Sequence, residues 1–60
     1  MDLEETKRRL RRALSALDDA ARAVKNARVN AGDDSGYINR ALREISDAED
    51  DVLRALRELE

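Results

Sequence analysis

The fold is decided by the stretch Asn30-Ala31-Gly32-Asp33-Asp34-Ser35-Gly36, which divides the 60-residue chain into two halves of similar pattern. On both sides of it, large apolar residues recur every seven positions, and alanines recur three positions after most of them. This sustained spacing predicts long helices that pack along their length. A single break that contains glycine predicts two antiparallel helices. The sequence therefore indicates an all-α fold, a single helical hairpin over residues 1–60.

The ends of the two helices are marked by residues that favour helix capping. The predicted first helix covers about residues 2–31, the turn about 32–35 and the second helix about 35–59. We expect Asp2 to cap the amide three residues on, with Glu5 reaching back to it. Gly32 suits the left-handed position that ends many helices, and Asp33, Asp34 or Ser35 caps the next helix. Tyr37, the one aromatic residue, is expected to cover the end of the core.

The composition favours a folded helical protein that needs a partner. Charged residues make up 43% of the chain but the net charge is only −2, which together with the periodicity argues against disorder. Two helices form only one buried layer, and small domains of this size usually need disulfides, a metal or oligomerisation. Cysteine and histidine are both absent, so neither a disulfide nor the commonest transition-metal ligands are available. Oligomerisation is the remaining route to stability.

We expect the apolar positions of both helices to form a core shared between copies. A homodimer that makes a four-helix bundle is the simplest closed assembly, although a trimer remains open, as does the relative direction of the two hairpins. The predicted self-association core comprises Leu10, Ala13, Leu14, Leu17, Ala20, Val24, Ala27, Ile38, Ala41, Leu42, Ile45, Ala48, Val52, Ala55, Leu56 and Leu59.

A basic run in the first helix provides an alternative function. Lys7, Arg8, Arg9, Arg11 and Arg12 could neutralise the phosphates of a nucleic acid. On a helix these residues spread over the whole solvated face, and Glu4 and Glu5 stand four positions before two of the arginines. No aromatic residue lies among them to stack on a base. The main interpretation is therefore a solvated, ion-paired surface, with a small nucleic-acid-binding regulator as the alternative.

A second set of candidate site residues is acidic, and it could be either a cation site or part of the solvated surface. Asp18 and Asp19 are expected at the same height as Glu49, Asp50 and Asp51, where carboxylates could gather a hard cation. Arginines four positions after Asp18 and Asp50 give these acids local partners instead, which favours an acidic surface. Glu49 also interrupts an apolar row between Leu42 and Leu56. It is interpreted as an edge residue that reaches water, or else as a polar residue that fixes the arrangement of the bundle.

No combination of residues composes an active site, and the expectation is a protein without catalytic activity. There is no histidine or cysteine and no glycine-rich phosphate loop, and nothing points to a cofactor, a metal or a small-molecule substrate. No apolar run approaches the length of a membrane span, and no signal peptide is recognisable, so we expect a cytoplasmic protein. A further alternative is a regulator that offers its apolar face to the helices of another protein.

In overall shape the chain resembles a small plasmid-encoded RNA-binding repressor that dimerises into a four-helix bundle. The resemblance rests on the length, the hairpin and the alanine-rich heptads, and it implies dimerisation. It carries over no functional residue, because this chain has no phenylalanine to match the one that marks the RNA-facing surface there. The preference for arginine over lysine is untypical of designed helices and favours a natural origin, with a designed bundle left open.

Overall fold

The computed structural model describes residues 2–31 and 36–60 as two helices packed side by side. Helix α1 spans Leu3–Ala31 and helix α2 spans Gly36–Leu59. The molecule is a rod of 45 × 15 × 13 Å, close to the length of one 29-residue helix and the width of two. The predicted all-α hairpin is thus confirmed in its architecture. The predicted turn, with Gly32, Asp33, Asp34 and Ser35, lies outside the described residues.

Asp2 caps the first turn of α1, although by a different bond from the expected one. Its Oδ1 accepts a hydrogen bond from the Glu4 backbone amide at 3.0 Å, two residues on rather than three. The Thr6 backbone amide and hydroxyl both donate to the Asp2 carbonyl, at 3.1 and 3.2 Å. Glu5 does not complete the predicted capping box, since its Oε1 accepts a 2.8 Å hydrogen bond from Arg9 instead. Ion pairing along the helix replaces the backward bond to the cap.

Large aliphatic residues of both helices meet in a single layer that is only partly closed. Leu56 is the most protected of them at 9% exposure, and it is the one buried residue in the described part of the chain. Its apolar neighbours in the layer are half-buried: Leu10, Leu14, Leu17 and Val24 on α1, with Ile38, Leu42, Ile45, Val52 and Leu59 on α2. Each helix shields only one side of the other, so neither can remove these side chains from water by itself.

A hydrogen bond between the helices defines which residues stand at the same height. Arg28 Nη1 donates to Asn39 Oδ1 at 3.3 Å, near the end where the two helices are connected. The connected ends of the helices, Ala31 and Gly36, give the same sum of residue numbers as Arg28 and Asn39. Since both helices rise by about 1.5 Å per residue in opposite directions, residues whose numbers add up to about 67 stand at similar heights. Leu10 is accordingly level with Arg57, and Asp18 with Glu49.

The hairpin has two unlike lateral faces. Successive residues rotate by about 100° around a helix. In a pair of antiparallel helices, residues at the same heptad position therefore lie on the same face of the pair. One face, here called the alanine face, carries Ala13, Ala16, Ala20, Ala23 and Ala27 of α1 with Ala41, Ala48 and Ala55 of α2. The opposite face, here called the leucine face, carries Leu14, Leu42, Leu53 and Leu56, together with the Arg28–Asn39 hydrogen bond.

Candidate self-association surface

The residues predicted to form the shared core divide into two groups in the hairpin. Most of them are buried or half-buried between α1 and α2. Ala20 and Ala27 differ, since both are exposed, and the neighbouring Ala16 and Ala23 are exposed as well. On α2 the corresponding alanines, Ala41, Ala48 and Ala55, are half-buried. Apart from Ala13, which is half-buried, the alanines on the α1 side of the alanine face are therefore left exposed by α2.

The two lateral faces differ in the charges next to the apolar layer. On each lateral face, the positions that directly border the apolar layer are here called the inner positions. Those of the leucine face include three charged residues, Lys7, Arg28 and Glu49, all of them half-buried. On the alanine face the corresponding inner positions hold only alanines and Thr6. Small uncharged side chains allow another backbone to approach closely, near the short end of the roughly 8–10 Å range for packed helices. At the inner positions only the alanine face is free of charge, and on α2 its outer positions hold Glu44, Asp51 and Glu58.

The basic run of α1 is less available than its sequence indicates. The Lys7 side chain is only 15% exposed, and its Nζ lies 3.8 Å from Glu4 Oε1. Its position on the leucine face, level with the end of α2, turns its aliphatic stem towards the apolar layer. Arg9 is ion-paired with Glu5 at 2.8 Å. Of the five predicted cations, Arg8, Arg11 and Arg12 are exposed and make no ion pair with the described residues.

The acidic residues do not converge on a cation site. Asp18 pairs with Arg22 at 3.1 Å, as its spacing predicted. Asp50 has the same spacing to Arg54, yet these two make no ion pair. Among residues 2–31 and 36–60, no group of three carboxylates is close enough to hold a metal ion.

Glu49 is half-buried beside the apolar layer and has no ion-pair or hydrogen-bond partner in the described part of the chain. It lies on the leucine face, level with Asp18, which is itself paired with Arg22. The carboxylate therefore depends on water for its hydrogen bonds. Leu42 and Leu56 occupy the same position of α2 one heptad before and one heptad after it, so Glu49 interrupts an apolar row.

Tyr37 does not cover the end of the core, contrary to expectation. It is 83% exposed, because its place on α2 directs the ring outwards beside the alanine face instead of between the helices. Arg28, in contrast, contacts α2, which the sequence was not expected to show. Its heptad position, seven residues after Ala21 and fourteen after Leu14, nevertheless indicates that it lies beside α2.

Two small depressions lie on the surface of the described residues. One of about 270 Å³ is lined by Asp50, Leu53, Arg54 and Arg57, and another of about 210 Å³ by Asp2, Glu5, Thr6 and Arg9. Each is formed by residues from one end or side of the rod alone, so neither resembles an enclosed ligand site. Neither α1 nor α2, as described, has a stretch apolar enough to cross a membrane. Comparisons with known protein families, curated proteins and solved structures find no match to this chain.

Proposed function

We propose that this chain is a self-association module, in which two copies pack into a four-helix bundle that acts as a structural or interaction scaffold. It has no catalytic role. The observation that carries the proposal is the incomplete burial of the apolar layer, in which Leu56 alone reaches 9% exposure while every other large aliphatic side chain is more open. Apolar side chains stabilise a fold in proportion to the area removed from water, so a second hairpin would add directly to stability.

The exposed area supports the same conclusion. The hairpin exposes 4813 Å², whereas a compact monomer of 6.8 kDa exposes roughly 3950 Å². The difference of about 850 Å² is close to the roughly 800 Å² that each partner contributes to a standard protein–protein interface. A dimer would therefore bring the exposed area towards the range of ordinary folded proteins.

The alanine face is the surface we propose for the contact. The leucine face is interrupted by Lys7, Arg28 and Glu49, and burying those charges in a second interface would be costly without partners for them. On the alanine face, large residues of the central layer alternate with alanines along each helix. Two such faces can interdigitate at a short distance, as alternating large and small positions do in packed helical cores.

Sedimentation equilibrium over a range of concentrations, combined with circular dichroism on the same samples, tests the proposal. The expected result is a cooperative, highly helical dimer at micromolar concentration whose melting temperature rises with protein concentration. A helical monomer at all concentrations would refute the proposal. A weakly helical monomer would refute it in favour of the alternative, in which the apolar face folds only against the helices of a different protein.

A matched pair of variants makes the test specific to the alanine face. Ala20 is exposed in the hairpin, so Ala20→Glu leaves the single hairpin intact, but in the dimer it would bury two carboxylates. We expect dimerisation to weaken by about 30-fold or more, corresponding to about 2 kcal/mol. Ser15→Glu places the same charge on the outer side of α1, where it is exposed in either state, and should leave the dimer unchanged. Equal effects of the two variants would contradict the choice of face.

A further inference from the structure

The direction in which two copies pair can be derived from the charges that border the alanine face. On α2 this border is an acidic row at seven-residue spacing, Glu44, Asp51 and Glu58, all of them exposed. Glu44 is neutralised by Arg40, with 3.3 Å between Nε and Oε1. Asp51 and Glu58 make no ion pair with any described residue. Arg54, three residues after Asp51 and four before Glu58, is exposed and ion-paired with neither, so the α2 border carries two acids without an ion pair and one arginine beside them towards the C-terminal end.

The border on α1 holds two arginines at the same height. Arg9 is already ion-paired with Glu5 at 2.8 Å and would have to share that partner, whereas Arg12 makes no ion pair with the described residues. Arg9 and Ala16 occupy the equivalent heptad positions on this helix, and Arg12 lies beside them, one turn before Ala16. By the interhelical alignment that Arg28 and Asn39 define, Arg9 is level with Glu58, and Ala16 with Asp51. Arg12 stands between those two heights, about 4.5 Å along the axis from the level of Glu58 and about 6 Å from that of Asp51. It is exposed and unpaired in the hairpin.

These positions distinguish the two ways of placing one alanine face on another. If the connected ends of both hairpins point the same way, α1 of each copy lies beside α2 of the other. Arg9 and Arg12 then meet Asp51 and Glu58 of the second copy, and the two-fold symmetry repeats this cluster. If the hairpins point in opposite ways, α2 lies beside α2, and the acidic rows overlap along their length. Both arrangements leave neighbouring helices antiparallel, so the helix dipoles favour neither.

We propose that two copies of this chain associate with their connected ends together, guided by Arg9 and Arg12 of one copy against Asp51 and Glu58 of the other. This inference rests on the proposed self-association and specifies its geometry. Charged residues that flank an apolar helix interface set the orientation of the partners more than they set affinity. The small Ala16 side chain, level with Asp51, leaves room for the acidic side chain to extend towards the guanidinium groups.

Charge exchange between copies tests the arrangement. The first variant carries Arg9→Glu and Arg12→Glu, and the second carries Asp51→Arg and Glu58→Arg. Each alone opposes like charges in both clusters, so its dimerisation should weaken by roughly tenfold or more. An equimolar mixture restores opposite charges in both clusters of the heterodimer. Native mass spectrometry separates the three species by mass and should show the heterodimer in large excess, with the preference reduced in 1 M salt.

The mixture also separates contacts between copies from contacts within one hairpin. Mixing cannot restore an ion pair inside a single chain, so selective heterodimer formation reports on contacts between copies. The opposite net charges of the two variants favour the heterodimer in either arrangement, and the orientation is therefore measured with a pair of cysteine variants. Circular dichroism of each variant checks that the hairpin is helical. If a charge variant folds poorly, a second pair of variants with a smaller change in charge still tests which residues of the two copies are adjacent. Ala16→Cys and Asp51→Cys chains, mixed under mild oxidation, should form disulfide-linked heterodimers in preference to either homodimer, because the chain has no other cysteine.

Each other outcome overturns the inference in a recognisable way. Hairpins that point in opposite ways would place α1 beside α1 and α2 beside α2, so the mixed Ala16→Cys and Asp51→Cys chains would then form no disulfide-linked heterodimer in preference to homodimers. Random mixing of the two variants would show that these charges do not guide association. A wild-type chain that stays monomeric would refute the proposed self-association itself, and the orientation with it.

Discussion

Replacing Glu49 with leucine should stabilise the chain and disturb its assembly. The carboxylate is half-buried, lacks a partner in the described part of the chain, and lies between Leu42 and Leu56 on the leucine face. Complete burial of a leucine contributes about 1.5–3 kcal/mol, so a half-buried position contributes about 1 kcal/mol. Removing the cost of the partly desolvated carboxylate contributes at most about 1 kcal/mol more. Leucine and glutamate have similar helix propensities, so the backbone contributes little to the difference.

The expected gain in the free energy of unfolding is therefore about 1–2 kcal/mol. For a chain of this size, each kcal/mol raises the melting temperature by about 4–8 °C, which predicts an increase of roughly 5–15 °C. The same substitution makes the leucine face continuous from Leu42 to Leu56, next to Leu53, which is already 42% exposed. A larger apolar surface on the outer side of the dimer should promote further association. The predicted variant is thus more stable but heterogeneous in size.

Thermal melting by circular dichroism and sedimentation velocity on the same samples measure the two effects. Glu49→Gln keeps the shape but removes the charge, and should show a smaller rise in melting temperature with no change in size. Arg43→Leu places a leucine on the outer side of α2, where Arg43 is exposed, and should change neither quantity by much. A lower melting temperature for Glu49→Leu, with an unchanged oligomer size, would refute the reasoning.

Three further predictions follow from individual contacts. Leu56→Ala should lower the free energy of unfolding by about 2–5 kcal/mol in chemical denaturation, whereas Leu53→Ala, at a 42% exposed site, should cost less than about 1 kcal/mol. Asp2→Ala removes the cap on the Glu4 amide and should cost about 0.5–2 kcal/mol in thermal melting, while Asp19→Ala in the middle of α1 should cost nothing. Labelled RNA and DNA should bind the wild-type chain only weakly at about 0.15 M salt. A variant in which four arginines are replaced by glutamine should bind them equally weakly; the four are Arg8, Arg9, Arg11 and Arg12. Binding that depends steeply on salt in the wild-type chain, and is lost in the variant, would instead support the nucleic-acid alternative.

The architecture was predictable because one physical requirement repeats along the whole chain. Each helix must place its apolar residues on one side, and the seven-residue spacing encodes that side at every turn. A single interruption then leaves little choice but a hairpin. The heptad position would also have placed Lys7 and Arg28 beside the apolar layer, since both fall in the row that contains Leu14 and Ala21. The prediction that Lys7 belongs to the solvated face is wrong, since its side chain is only 15% exposed.

Other details depend on energies too small for the sequence to decide. Asp18 and Asp50 each precede an arginine by four residues, but only Asp18 forms the ion pair. Such pairs on a helix surface contribute about 0.3–0.5 kcal/mol, which local rotamer preferences can outweigh. The choice of Asp2 between the amides of Glu4 and Glu5 is of the same kind. Tyr37 shows a further limit, because proximity to a helix end does not determine on which side of the helix a ring lies.

The division of the hairpin into a charged and an uncharged lateral face would allow a chain with 43% charged residues to associate through an apolar surface, as we propose. Charges on the outer sides favour contact with water, and the three charged residues beside the apolar layer on the leucine face oppose docking there. The alanine face lacks such residues at its inner positions, so association in one direction can complete the core while further growth is opposed. On this argument folding and dimerisation are one linked equilibrium. A single hairpin buries too little for high stability, and the stability of the chain is expected to depend on its own concentration.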